Sequence, residues 1–166
     1  MSQFPIGRIA QVAFVVRDLE ARMQRFWLDF GIGPWSIYTF EPPRVQDMTY
    51  RGRPAGFRMR VAFAMCGETQ IELVQSLDGP NVYEEFLAGC GEGVQHLGIH
   101  VPSMDTAAAA MRALGYEMVQ SGRGYGVRGD GAFAYFATAG AIGTLVELIE
   151  LPAERYPPEA TYPPAS

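Results

Sequence analysis

Four side chains able to hold a cation or move a proton stand inside apolar runs of this 166-residue chain: Gln11, Glu72, His96 and Glu147. Gln11 lies in AQVAFVV, Glu72 in TQIELVQ, His96 in VQHLGIHV and Glu147 in TLVELIE. A single strand glutamate usually faces solvent, and a single histidine in an apolar strand is usually a hydrogen-bonded core residue. Position changes that reading. Gln11 falls on His96 at an offset of 85 residues, and Glu72 falls on Glu147 at an offset of 75. The four therefore occupy two equivalent places in two repeats. If a pseudo-two-fold relates the halves, they converge in pairs on one cavity. One imidazole nitrogen, two carboxylates and one amide oxygen form a donor set for one divalent cation. With no thiolate, the set suits Zn, Ni, Co, Mn or Fe(II) rather than a closed structural zinc site. Strand side chains alternate between faces, so Ala13 shares a face with Gln11 and Gly98 shares one with His96. Both neighbours are small and leave room. His100 faces the same way as His96, but four residues at about 3.3 Å each put it roughly 13 Å away, beyond the same ion.

The elements that must position these residues repeat as well. IAQVAFVVRDLE leads into ARMQRFWLDFG, and VQHLGIHVPSMD leads into TAAAAMRALGY. Each is a short apolar run, a polar cap and a helical stretch that ends near glycine. Asp18 and Ser103 fit N-caps, and Gly31 and Gly115 fit C-terminal stops. Each half thus reads as strand, helix, strand, strand, strand. The first module covers residues 8–76, a linker with a short helix covers 77–93, and the second module covers 94–151. Residues 41–56 (EPPRVQDMTYRGRPAG) read as a long loop able to act as a lid. The tail 152–166 holds five of the twelve prolines, so it reads as an extended or disordered arm.

Bulk composition narrows the classes. Thirteen basic against eighteen acidic residues, a net charge of −5, leave no basic stripe for phosphates, so nucleic acid is not an expected partner. No apolar run reaches the roughly 20 residues of a membrane span, and no signal peptide is expected. Cys66 and Cys90 form no metal-type cluster and read as buried thiols of a cytoplasmic protein. The glycine-rich stretch GRGYGVRGDG (122–131) precedes a strand rather than a helix, so it reads as a hairpin or pocket-rim loop, not a phosphate cradle. Arg123 and Arg128 could meet an anionic substrate from that rim. Trp35, Tyr38, Phe63 and Tyr135 read as core or pocket wall.

The motifs QVAFVVRDLE, TQIELVQSL, GVQHLGIHVPSMD and GTLVELIEL, spanning residues 8–151, resemble the vicinal-oxygen-chelate superfamily. In pattern they are similar to glyoxalase I and methylmalonyl-CoA epimerase-like members. The resemblance implies an α+β fold, two paired βαβββ modules forming a curved, mostly antiparallel sheet around a cleft. It implies metal ligands at Gln11, Glu72, His96 and Glu147, a set that resembles one class of glyoxalase I. It also implies that Glu147 serves as the catalytic base, with Glu72 supplying any second proton transfer. Epimerases of the family carry His where this chain has Gln11. They carry a glutamate where this chain has Pro54-Ala55-Gly56-Phe57, and a His-Pro-Lys run where it has Ala137-Thr138-Ala139-Gly140. These departures count against a coenzyme A thioester. Extradiol dioxygenases use His, His, Glu, so Gln11 counts against that branch too. The expected activity is a metal-dependent lyase or isomerase/epimerase reaction on a small carbonyl-containing substrate, in a homodimer. The alternative is a non-catalytic drug-binding resistance protein of the same fold.

Overall fold

In the computed structural model, which describes residues 3–164, Asp18 accepts a hydrogen bond from the Ala21 amide at 2.9 Å and opens α1 (Leu19–Phe30). Gly31, at a left-handed φ of 66°, ends that helix. Leu19 and Met23, one turn apart, are buried against Trp35, Ile37, Ala62 and Leu73. The second half repeats the device. Ser103 caps α3 (Met104–Ala113), and Met104, Ala107, Ala108 and Met111 are buried against Ile99, Phe136 and Leu148. Each fully buried large apolar side chain stabilises the fold by about 1.5–3 kcal/mol. Between the halves, Asn81 caps α2 (Val82–Gly89) by accepting from the Tyr83 and Glu84 amides.

The strands are β1 (Gln11–Val15), β2 (Trp35–Phe40), β3 (Gln46–Tyr50), β4 (Arg53–Pro54), β5 (Arg58–Cys66), β6 (Thr69–Asp78), β7 (Gly93–His100), β8 (Met118–Tyr125), β9 (Gly131–Phe136), β10 (Leu145–Glu150) and β11 (Ala160–Tyr162). A short helix α4 (Ala139–Ile142) precedes β10. Among the described residues, all strands join one 11-stranded sheet in the order β11-β2-β5-β6-β1-β7-β10-β9-β8-β3-β4. β1 runs parallel to β6 and β10 parallel to β7; the other pairings are antiparallel. From β2 to β8 the order is palindromic: β1 answers β7, β6 answers β10, β5 answers β9 and β2 answers β8. The two halves meet at the antiparallel β1–β7 pair. There Gln11 faces Gly98 and Ala13 faces His96. Outward from that seam, Glu72 stands level with Ala13 and Glu147 with Gly98.

The flanks of the sheet curl toward each other. Phe40 of β2 meets Tyr125 of β8 edge-on at 5.4 Å and Phe133 of β9 at 6.5 Å between ring centroids. The architecture is α+β with a mostly antiparallel, curved sheet, as the resemblance implies.

Two local expectations need correction, and the tail's two alternatives resolve to one. Residues 41–56 are not a long loop. They make a turn and the β3–β4 hairpin, which leaves its own half and pairs with β8 of the other. Pro42 and Pro43 lie in the turn before β3, and Gly52, at a left-handed φ of 73°, sits in the turn that joins β3 to β4. Of the two readings of the tail the extended one applies, since β11 adds to β2 of its own chain. Cys66 and Cys90 are exposed and unpaired; each sits at an element's end beside a turn glycine, where the chain reaches solvent. Among the described residues, no helix is long and apolar enough to cross a membrane.

Candidate metal centre

The seam brings Gln11, Glu72, His96 and Glu147 together. His96 Nε2 lies 3.1 Å from Glu72 Oε2 and 3.3 Å from Glu147 Oε2. One ligand atom from each of these three residues falls within 4.8 Å of the others. All four side chains are buried. Gln11, Glu72 and Glu147 line one end of a cleft together with Tyr135.

A β-bulge in β7 shapes this end. Ala13 pairs with His96 and Phe14 with Val94, so Gln95 has no partner in the ladder. A bulge of this kind re-aims side chains. Here it lets consecutive residues Gln95 and His96 both bury their side chains. The Gln95 carbonyl, left over by the ladder, accepts from the Thr144 hydroxyl at 2.7 Å. Its side-chain amide donates to the Val82 carbonyl at 2.9 Å, which leaves Oε1 to accept from His96 Nδ1 at 2.8 Å. Nδ1 therefore carries the hydrogen, and Nε2 turns toward the two carboxylates.

Electrostatics follow from that packing. Burial opposes a charge on His96, but Glu147 and Glu72 outweigh it and raise the imidazole to about 9. Burial raises Glu72 above the ordinary carboxylate range. The Glu147 charge adds to this, while His96 and Gln11 pull the other way. Tyr135 meets the His96 ring edge-on at 4.9 Å, and its hydroxyl lies 2.8 Å from that of Tyr83. Burial first, then the Glu147 charge, pushes both phenols well above their usual value, so they stay neutral.

Whether these residues fit a cation can be judged from one atom. Gln11 Oε1 is buried and has no hydrogen-bond partner among the described residues. A buried amide oxygen without a partner costs about 1–3 kcal/mol. A cation beside the two carboxylates would satisfy it and would replace the His96 proton. The set fits a divalent ion with oxygen and nitrogen donors. Gly98 makes room for this arrangement: a Cβ there would stand 2.5 Å from Gln11 Oε1 and 2.8 Å from Gln11 Cβ.

The cleft opens to solvent. Tyr38, Phe40, Phe63, Tyr125 and Phe133 form its walls. His100 also lines it but joins neither carboxylate in an ion pair. Trp35 is core, whereas Tyr38, Phe63 and Tyr135 are wall. The rim cations are not those expected. Arg123 pairs with Asp105, and neither Arg123 nor Arg128 lines the cleft. Arg44 and Arg155 stand there instead. Arg155 comes from the tail, whose placement depends on tertiary packing. Nothing in the sequence pattern marks Gln95 or Tyr83 either.

The family model described as Glyoxalase/Bleomycin resistance protein/Dioxygenase superfamily matches residues 10–136. That range holds Gln11, Glu72 and His96 and stops before Glu147. Among solved structures, the chain is similar to methylmalonyl-CoA epimerase of Streptomyces coelicolor in complex with 2-nitronate-propionyl-CoA. Identity is 20%, coverage is 90% of this chain and 100% of that one, and the TM-score is 0.67. Methylmalonyl-CoA epimerase from Mycobacterium tuberculosis matches at 22% identity, 86% coverage of each chain and a TM-score of 0.61. A hypothetical protein from Bacillus halodurans matches at 19% identity, 90% and 97% coverage and a TM-score of 0.61. At these identities the likeness is one of fold. No curated protein matches the chain.

Proposed function

Because this chain belongs to the Glyoxalase/Bleomycin resistance protein/Dioxygenase superfamily, we propose that it is a metal-dependent lyase or isomerase/epimerase that moves a proton next to a substrate carbonyl. The observation that carries this reading is the buried Glu72–His96–Glu147 group with the unpartnered Gln11 oxygen beside it. These four residues would hold one divalent ion, Zn, Ni, Co, Mn or Fe. When bound, such an ion supplies Lewis acidity toward a substrate carbonyl oxygen.

The chain's own residues do the rest. Glu147 takes the proton from the carbon beside the carbonyl, because its carboxylate lines the cleft next to the site. Glu72, its counterpart across the seam, supplies any return transfer from the other side. Two carboxylates related by the two-fold suit epimerisation, in which a proton leaves one face and arrives at the other. Tyr135 and Tyr83, kept neutral, add no further negative charge to that of the two carboxylates. Gln95 holds the His96 ring in one orientation. The aromatic walls lower the local dielectric, which strengthens each of these interactions.

The substrate class is a small 2-oxo, 2-hydroxy-carbonyl or thioester compound. The absence of a glutamate near Gly56 and of a His-Pro-Lys run at 137–140 favours the first two. The protein is proposed to act in the cytoplasm as a homodimer with a complete site in each chain, since one chain supplies all four residues. Deuterium exchange into candidate carbonyl compounds tests the chemistry. Glu147→Gln should lose exchange while metal and substrate still bind. Unchanged exchange removes Glu147 from the mechanism. A chain that binds the compounds but never exchanges their protons is instead the drug-binding protein of the alternative reading.

A further inference from the structure

The tail does more than extend the sheet. On one side Pro152 packs over Gly126, where a Cβ would stand 2.3 Å from the Pro152 Cβ. Asp130 Oδ2 accepts from the Ala153 amide at 3.1 Å, and the Glu154 carbonyl accepts from the Val127 amide at 2.9 Å. On the other side the Glu159 amide donates to the Ile37 carbonyl at 2.9 Å, and β11 pairs with β2. The segment between them spans the cleft mouth from the second half to the first. Arg155 and Tyr156 on that span both line the cleft.

The two cations at the mouth differ. Arg44 lies 3.3 Å from the Glu159 carboxylate and faces the Tyr156 ring at 5.3 Å. Arg155 forms no ion pair among the described residues; its guanidinium rests over the Phe63 ring at 5.6 Å. An aromatic face steadies a guanidinium and leaves its N–H edges free, and those edges suit an anion's oxygens. His100 adds no positive charge at the mouth. Burial, then the charges of Arg155 and Arg8, hold it below the usual imidazole range, so it is neutral.

We propose that Arg155 is the receptor for an anionic group on the substrate, so the cleft takes small compounds carrying a carboxylate remote from the reacting carbonyl. This rests on the proton-transfer reading for where the carbonyl end lies. That end lies at the cation site that Gln11, Glu72, His96 and Glu147 would form, and Arg155 at the mouth orients the other. The anionic end stays at the entrance, where Arg155 has no ion-pair partner among the described residues, and away from Glu72 and Glu147 at the buried end.

The test compares 2-oxoglutarate with 2-oxopentanoate, which lacks the remote carboxylate. Dissociation constants are measured by calorimetry on the full chain with one equivalent of Zn²⁺. Wild type should prefer 2-oxoglutarate by about tenfold or more, as a charge-assisted contact predicts. Arg155→Gln should shrink the preference to about twofold while leaving 2-oxopentanoate unchanged, and Arg155→Lys should restore part of it. Equal affinities in wild type, absent binding included, or a preference that survives Arg155→Gln, overturn the proposal. His96→Ala separates the two ideas. If it leaves both affinities unchanged the metal reading fails, while an Arg155-dependent preference still stands.

Discussion

Gly98→Ala puts one methyl group where the seam has no room. The added Cβ would stand 2.5 Å from Gln11 Oε1, 2.8 Å from Gln11 Cβ and 2.9 Å from Ile149 Cδ1. The Oε1 contact can be relieved by a rotamer change, but the Gln11 Cβ contact cannot, because that atom is fixed to β1. The strands must part or the Gln11 side chain must leave. Overpacking of this kind costs about 1–3 kcal/mol. For a chain of this length, each kcal/mol lowers Tm by about 2–4 °C, so the expected fall is about 2–12 °C. Zinc affinity should fall with it, because the amide oxygen is displaced from the carboxylates. Thermal unfolding of metal-free protein gives the first quantity and zinc titration the second. Adding Gln11→Ala should recover part of the stability but none of the affinity, with a coupling of at least about 0.5 kcal/mol. A single variant within about 0.5 kcal/mol of wild type, with unchanged zinc affinity, would refute the close packing that holds Gln11 beside the carboxylates.

Three more outcomes are expected. Gln95→Leu removes the acceptor that fixes His96 Nδ1, and zinc affinity should fall about 10–100-fold; an unchanged titration would show that the ring needs no such partner. Because metal-free His96 is raised from 6.5 to about 9, it holds a proton through that window which an incoming ion must expel. Affinity should therefore rise with pH up to about 9 and flatten above it, and calorimetry in buffers of different ionisation enthalpy should register proton release near pH 7.5. No release would contradict the protonated state. Gly126→Ala should dislodge Pro152 and speed proteolysis within residues 152–164; cleavage at the wild-type rate would mean that the arm is anchored elsewhere.

The repeat makes the central strands and the four site residues legible, because a duplicated pattern supplies position as well as residue type. Gln11 and His96 alternate with small residues in sequence, and the seam register in the structure uses that space. Gln95 is not legible. Strict alternation sends it to the face opposite His96, and the bulge that breaks alternation leaves no mark in the letters. Residues 46–54 mislead because proline, glycine and arginine suit both a loop and a short hairpin. What decides between them is β8, far along the chain. Arg155 is hidden for the same reason: its neighbours in space are Phe63 and the cleft mouth, not its neighbours in sequence.

The two strands at the borders of the sheet, β4 and β11, are two and three residues long. Pro54 ends one and Pro163 follows the other, and proline offers no amide for a further ladder bond. A foreign strand would find at either border only a stub of unpaired backbone. Sheet extension from molecule to molecule, the route to fibrils, is thereby blunted at both ends. The proposed homodimer would then form through side chains on an outer face rather than by sharing backbone hydrogen bonds, and exposed groups such as Leu28 and Phe30 are available for it.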